Sequence, residues 1–328
     1  MKNNHNFTES LVLAIIVSIA AALTYNYFWF IELPGINARM LLHQSILDGT
    51  AEPPYNYRLL VPLLTESSAN IISFVSGIPF KISFALSYII YNIFSLSLFL
   101  FTLYVYLKEW HSKSLSIIGT LFCAALLPIS LRDHYFQPWS LIEAWFFVMT
   151  MYATYKARFS WVVIITGLAV LNRTTGIFIP LIYLLGSVDF KALINHPQNS
   201  NIKSIAYKFT LLVSISLVLI LIVRNIQEGG AHIHSLTWIF EHNITRFNLA
   251  MALINLSLFS GAWWVFSIFG FKHADRYTKQ LLVFVPLYLV PIIIFGLWKE
   301  VRMLLPIYPI IISLGLFYIS KEGLIVDE

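Results

Sequence analysis

The chain has 328 residues, of which 58% are hydrophobic and 11% charged, with a formal net charge of +5 and a mean hydropathy of +0.76. That composition excludes an ordinary soluble domain, and apolar runs that are continuous, where a barrel would alternate in ~10-residue segments, exclude a membrane β-barrel. The modest basic excess suits the cytoplasmic loops of a membrane protein better than a nucleic-acid surface, so the expected fold class is all-α, a polytopic transmembrane helical bundle.

The first apolar stretch, 11–30, follows Lys2 as a signal peptide would. It runs for about 20 residues, ends in Tyr25, Phe28, Trp29 and Phe30, and lacks a small-residue cleavage site, which predicts a retained membrane helix. Glu32 to Pro62 comes next, ELPGINARMLLHQSILDGTAEPPYNYRLLVP. It holds Glu32 two residues past the expected membrane exit, an amphipathic run from Ala38 to Leu47, a Pro-Pro-Tyr turn, and Arg58 leading into another apolar run. Such a segment reads as one wall of a site at the membrane surface. Glu32 is then either a boundary charge or a general base acting on an acceptor hydroxyl. The 57–79 run contains Glu66, Ser67, Ser68 and Asn70 and suits a surface-lying or re-entrant helix, which makes 31–81 the first outer loop.

Further apolar segments fall near 82–107, 114–130, 139–155, 160–186, 207–223, 247–271, 279–297 and 303–320, so about nine to eleven membrane helices are expected in a single domain, 1–328. The single cysteine, Cys123, lies inside one run, which excludes a disulfide framework or a Cys-based metal site. Arg132-Asp133-His134 precede a helix started by Pro138 and Ser140, with Glu143 one turn inside. Asp133 either pairs with Arg132 in a solvated loop or belongs to a site. His134 lacks a second histidine or acid at metal-ligand spacing, and His232 and His234 read as loop residues.

Segment 160–186 is interrupted by Asn172-Arg173-Thr174-Thr175. An arginine at the bilayer midplane is expensive, and two half-helices meeting at a surface or wet cavity remove that cost. Arg173 needs a partner there: a salt bridge to Glu143 or Asp133, or a bound anion. Glu300 and Arg302 share the expected first turn of the last helix.

With the N-terminus inside, ten of the 12 inner cations are lysine, while seven of the nine outer ones are arginine: Arg39, Arg58, Arg132, Arg173, Arg224, Arg246 and Arg302. The arginine fork binds phosphate and carboxylate bidentately, whereas lysine serves as a solvated point charge. One face therefore reads as a site for an anion.

Together these residues resemble the GT-C superfamily of integral-membrane glycosyltransferases. Glu32 falls at the position of that family's acid after the first span. ARMLLHQSILDG with PPYNYRLLVP resembles its first-loop helix, Pro-Tyr turn and Arg-led helix, and LNRTTGIFIP and KEVRMLLPIYP resemble its later half-helix and last outer loop. The family's frequent paired acid is absent, because Leu33 follows Glu32. The resemblance implies transfer of a sugar from a polyprenyl-phosphate donor to a glycan, lipid or protein acceptor at the outer face. Glu32 or Asp133 would be the base, with Asp48 as a substitute. Arg58, Arg173 and Arg302 would hold the phosphate, with Arg132, His134, Glu143, Asn172 and Glu300 lining the site. Such a clamp calls for no cofactor, and a divalent cation is not indicated. A bacterial inner membrane, with the site facing the periplasm or exterior, is the expected location. The competing reading is a secondary transporter, or a lipid-linked glycan flippase or polymerase. Transporters often show corresponding interruptions in paired halves, and the sequence offers one clear interruption.

Overall fold

The fold, given by a computed structural model, is described for residues 2–131, 138–190, 201–226, 236–261 and 263–321. All regular structure among them is helical. Among the described residues six helical runs are long and apolar enough to cross a membrane, or seven if one bent pair counts as a span, fewer by length and composition than the expected nine to eleven. Residues 139–155 form a helix of only 17 residues, and 57–79 and 160–186 yield shorter apolar helices.

The first departure lies at the start. Helix α1 (Lys2–Tyr27) does not end in a loop. It passes through one π turn (Phe28–Glu32) and a 3-10 turn (Leu33–Gly35) into α2 (Ile36–Leu47). The apolar run Glu9–Leu47 is thus continuous over 39 residues. Pro34 has no N–H to give to a helix. The wider π turn, closed by the Leu33 N–H donating to the Phe28 carbonyl, absorbs the break without ending the run. At 1.5 Å per residue the run is about 58 Å long, nearly twice a ~30 Å hydrocarbon core. Glu32 consequently stands inside the bundle, 1% exposed, and not at a surface.

Helix α3 (Leu60–Ser76) stops at Gly77, whose φ of 70° forms a left-handed C-cap. The long α4 (Phe80–Leu107) and α5 (Lys113–Leu131) follow. Helix α6 (Trp139–Tyr155) is apolar and buried nearly all round, as a central helix should be. It packs against α4, against α7 (Phe159–Asn172) and α8 (Ile179–Ser187), and against a 3-10 turn at Val301–Ile307.

Helix α7 stops at Asn172, Arg173 is extended (φ −163°, ψ 145°), and a 3-10 turn (Thr174–Phe178) leads into α8. That turn folds tightly back on the end of α7. A Cβ on Gly176 would lie 2.5 Å from the Ala169 carbonyl carbon and 2.6 Å from the Val170 nitrogen. We expect Gly176→Ala to push the turn off α7 and to lower stability by ~1–3 kcal/mol, as overpacking does. Gly167→Ala, whose Cβ meets nothing nearer than 3.7 Å, is the control. Melting of the two purified variants in detergent distinguishes them, and equal melting would dismiss the tight turn.

The second half contains α9 (Ile202–Ile226), α10 (Leu236–Ile244), α11 (Arg246–Ser260), α12 (Trp263–Gly270), α13 (Arg276–Leu281), α14 (Phe284–Phe295) and α15 (Tyr308–Lys321). Segment 247–271, expected to be one apolar span, is bent by 61° between Phe259 and Trp263. That bend is a second interruption. Helix α12 lies directly on α15, where a Cβ at Gly270 would overlap the Leu314 carbonyl oxygen at 1.8 Å.

Charges gather at the two ends of α1. At one end Glu9 holds Lys108 at 2.7 Å and Lys113 at 3.6 Å. Glu32 and the arginines gather at the other, about 35 Å further along the helix.

Candidate functional site

The arginine end is assembled from six separate stretches of chain. The π turn of the first helix supplies Glu32, and α2 supplies Arg39 seven residues, about two turns, later. The two form a buried ion pair, 1% and 3% exposed, and Asn92 of α4 donates its Nδ2 to Glu32 Oε1 at 3.2 Å. A π turn inserts one extra residue and re-aims the side chains around it, so the irregularity that accommodates Pro34 also turns Glu32 inward.

The 3-10 turn at Tyr55–Tyr57 leads to Arg58, whose guanidinium lies 5.0 Å from the Tyr55 ring centre and 4.7 Å from that of Trp139. Delocalised and weakly hydrated, a guanidinium is well suited to such an aromatic seat. Arg58 is buried and within electrostatic reach of Arg173, Arg302 and Glu143. Burial, then Arg173 and Arg302, push its pKa below the ordinary arginine value. A guanidinium nonetheless keeps its charge in a protein, so the strain appears as a demand for negative charge nearby.

Arg173, at the α7–α8 break, donates its Nη1 to Glu143 Oε2 at 2.7 Å, and Thr175 donates its hydroxyl to the other carboxylate oxygen. The salt-bridge option for Arg173 is therefore realised with Glu143. Asn172 donates its Nδ2 to the Trp139 carbonyl at 3.1 Å and ties the break to the start of α6. Arg302, in the 3-10 turn ahead of α15, donates its Nη2 to Glu300 Oε2 at 2.5 Å. It is 2% exposed, yet its Nε and Nη1 have no hydrogen-bond partner among the described residues. The same holds for Arg39 Nη2, Trp139 Nε1 and both polar atoms of the Asn56 side chain.

Four arginines thus face three carboxylates in one buried layer, with one positive charge in excess and several N–H groups uncommitted. Buried donors without partners cost about 1–3 kcal/mol each, and more when charged. An anion with several acceptor oxygens would relieve both deficits.

Of the site residues expected from the sequence, Glu32, Arg58, Glu143, Asn172, Arg173, Glu300 and Arg302 all lie in this layer. Arg132, Asp133 and His134 fall outside the described residues, as do His232 and His234. Asp48 is not part of the layer: it caps α2 and accepts from Gln44 at 2.9 Å. No group of three or more His, Cys, Asp or Glu that would hold a metal ion occurs among the described residues. Sequence reasoning overlooked Arg39 as a site residue, along with Asn92, which donates to Glu32. A signal was present in α2, where Ile36, Arg39, His43 and Ile46 form one buried stripe at helical spacing.

Comparison with protein-family models, with curated proteins and with solved structures gives no match. The chain is an all-helical, multi-pass membrane protein with a buried arginine-rich layer at one end of its bundle.

Proposed function

We propose that the protein is a membrane glycosyltransferase of GT-C type. It moves a sugar from a polyprenyl-phosphate donor to an acceptor at the outer face of a bacterial inner membrane. The observation that supports this reading is the excess positive charge of the arginine layer, with Arg302 Nε and Nη1 buried and unpartnered among the described residues. As the bond from the anomeric carbon to the phosphate oxygen breaks, the electron pair leaves with the phosphate. Arg302 and Arg58 stabilise that charge, and Arg173 is held ready by Glu143. Glu32 serves chiefly to hold Arg39, since its carboxylate is engaged by Arg39 and Asn92.

A second reading, a secondary transporter or a lipid-linked glycan flippase, is favoured by one specific observation. Two apolar segments are interrupted, 159–187 at Arg173 and 246–270 by the 61° bend, as broken helices are in transporters.

One experiment separates the two. The full chain in nanodiscs is titrated with undecaprenyl phosphate and with undecaprenol, and then given labelled undecaprenyl-phosphate sugars. The glycosyltransferase reading expects the phosphate to bind, the alcohol not to, and sugar to be released from the carrier. Movement of intact lipid-linked sugar between leaflets, with no bond cleaved, would establish the transporter instead.

A further inference from the structure

The cleft between α2, α4 and α6 holds a second set of polar groups that the arginine layer does not use. His43 of α2 is buried, 4% exposed, with both ring nitrogens engaged. Its Nε2 lies 3.0 Å from Glu66 Oε2 of α3, and its Nδ1 lies 2.9 Å from the Tyr88 hydroxyl of α4. An ionised carboxylate can only accept a hydrogen bond. With Glu66 as the acceptor, a neutral His43 carries its proton on Nε2, and Nδ1 accepts from the Tyr88 hydroxyl. The Arg39 guanidinium lies 4.2 Å from the Tyr88 ring centre.

The order of these groups in space is what matters. Tyr88, His43, Arg39 and Trp139 line one small cavity with room for about one water-sized group. Trp139 is also the ring against which Arg58 stacks, so this cavity adjoins the arginine layer. At the other end Glu66 is 28% exposed and opens the chain of hydrogen bonds outward. The charged and titratable groups facing His43 are Glu66, Tyr88 and Arg39, from three different helices.

We propose that Tyr88, His43 and Glu66 form a proton relay that carries the acceptor's hydroxyl proton from the cavity to the half-buried Glu66. This rests on the glycosyltransferase reading. Tyr88 is the catalytic residue, and His43 and Glu66 are positioning residues acting through it. The acceptor oxygen forms its bond to the anomeric carbon as the carbon–phosphate-oxygen bond breaks and that electron pair leaves on the phosphate. Meanwhile the acceptor O–H proton passes to the Tyr88 oxygen, the Tyr88 proton passes to His43 Nδ1, and the resulting imidazolium gives its Nε2 proton to Glu66 and solvent. No oxidant, reductant or metal enters this balance. The relay supplies the base that Glu32, bound to Arg39, does not.

The test has a binding arm, a spectroscopic arm and a kinetic arm, all on the full chain in nanodiscs. Undecaprenyl phosphate titrated into wild type tests the glycosyltransferase reading, and no binding ends that reading whatever the other arms show. In the second arm, ¹⁵N-histidine spectra at neutral pH are recorded, with His43 assigned by its loss in His43→Gln. The relay expects neutral His43 protonated at Nε2, with the Nδ1 resonance shifted by Tyr88→Phe and the Nε2 resonance by Glu66→Gln. An imidazolium, an Nδ1-protonated ring, or an Nδ1 resonance indifferent to Tyr88→Phe overturns the relay without touching the binding result. In the third arm, Tyr88→Phe is expected to lower sugar transfer on the order of a hundredfold, with undecaprenyl phosphate affinity unchanged and the residual rate rising with pH as hydroxide takes over. Transfer by Tyr88→Phe at the wild-type rate overturns the relay.

Discussion

Replacing either partner of the Glu32–Arg39 pair alone, as Glu32→Met or Arg39→Met, is expected to lower stability by ~3–5 kcal/mol, while the double exchange recovers most of that loss. The reason is burial: both side chains are nearly inaccessible, and removing one leaves the other's charge in a low-dielectric interior with no partner. Removing both leaves two methionines of similar volume and takes one positive and one negative charge out of the layer, so the pair's Coulomb gain and desolvation cost disappear together. Recovery stays incomplete because Asn92 Nδ2 loses its acceptor on Glu32, a deficit of about 1–3 kcal/mol. The Lys156–Glu109 pair is the comparison, at 2.6 Å but with the lysine side chain 39% exposed. Breaking it should cost no more than ~1 kcal/mol. Unfolding of the purified variants in detergent, followed by tryptophan fluorescence, measures all of these. Single variants at Glu32 or Arg39 as stable as wild type would mean that water reaches the pair.

Arg302→Gln is expected to weaken undecaprenyl phosphate binding by about tenfold to a hundredfold, the loss of one charge-assisted contact worth ~1.5–3 kcal/mol. Arg302 is the informative position because its partner Glu300 is 17% exposed and is not stranded by the exchange. Arg173→Gln is less so, since it leaves Glu143, 3% exposed, without its cation and confounds affinity with folding. Arg302→Lys should fall between wild type and Arg302→Gln, because an ammonium keeps the charge but loses the planar fork. Titration of nanodiscs with the phosphate, and with undecaprenol as the uncharged control, reads these differences. Equal binding of the two lipids to wild type would remove the anion from the account of this layer.

Much of the fold was legible in the chain before any coordinates. Continuous apolar runs can satisfy their backbone hydrogen bonds in a membrane only as helices, so the class follows from composition. The break at Asn172-Arg173 was legible for a related reason, because a charged fork cannot sit unpaired in mid-bilayer. Four of the seven arginines assigned to one face, Arg39, Arg58, Arg173 and Arg302, meet in the buried layer.

Three features were not legible. Glu32 lies two residues past the apolar run 11–30, which reads as a membrane exit, and Pro34 follows it. A π turn carried the helix through it, and nothing local distinguishes a helix that ends from one that is bridged. The bend between Phe259 and Trp263 was hidden because the surrounding residues stay apolar on both sides of it. The partners were hidden most deeply. Glu32 meets Asn92 across 60 positions of sequence, and His43 meets Glu66 across 23 and Tyr88 across 45. A residue's type and spacing set what it can bond to within a turn or two of helix. Which helix faces which is settled by packing among elements far apart in the chain, and that packing decides which arginines are paired, which N–H groups are left over, and where a proton can go.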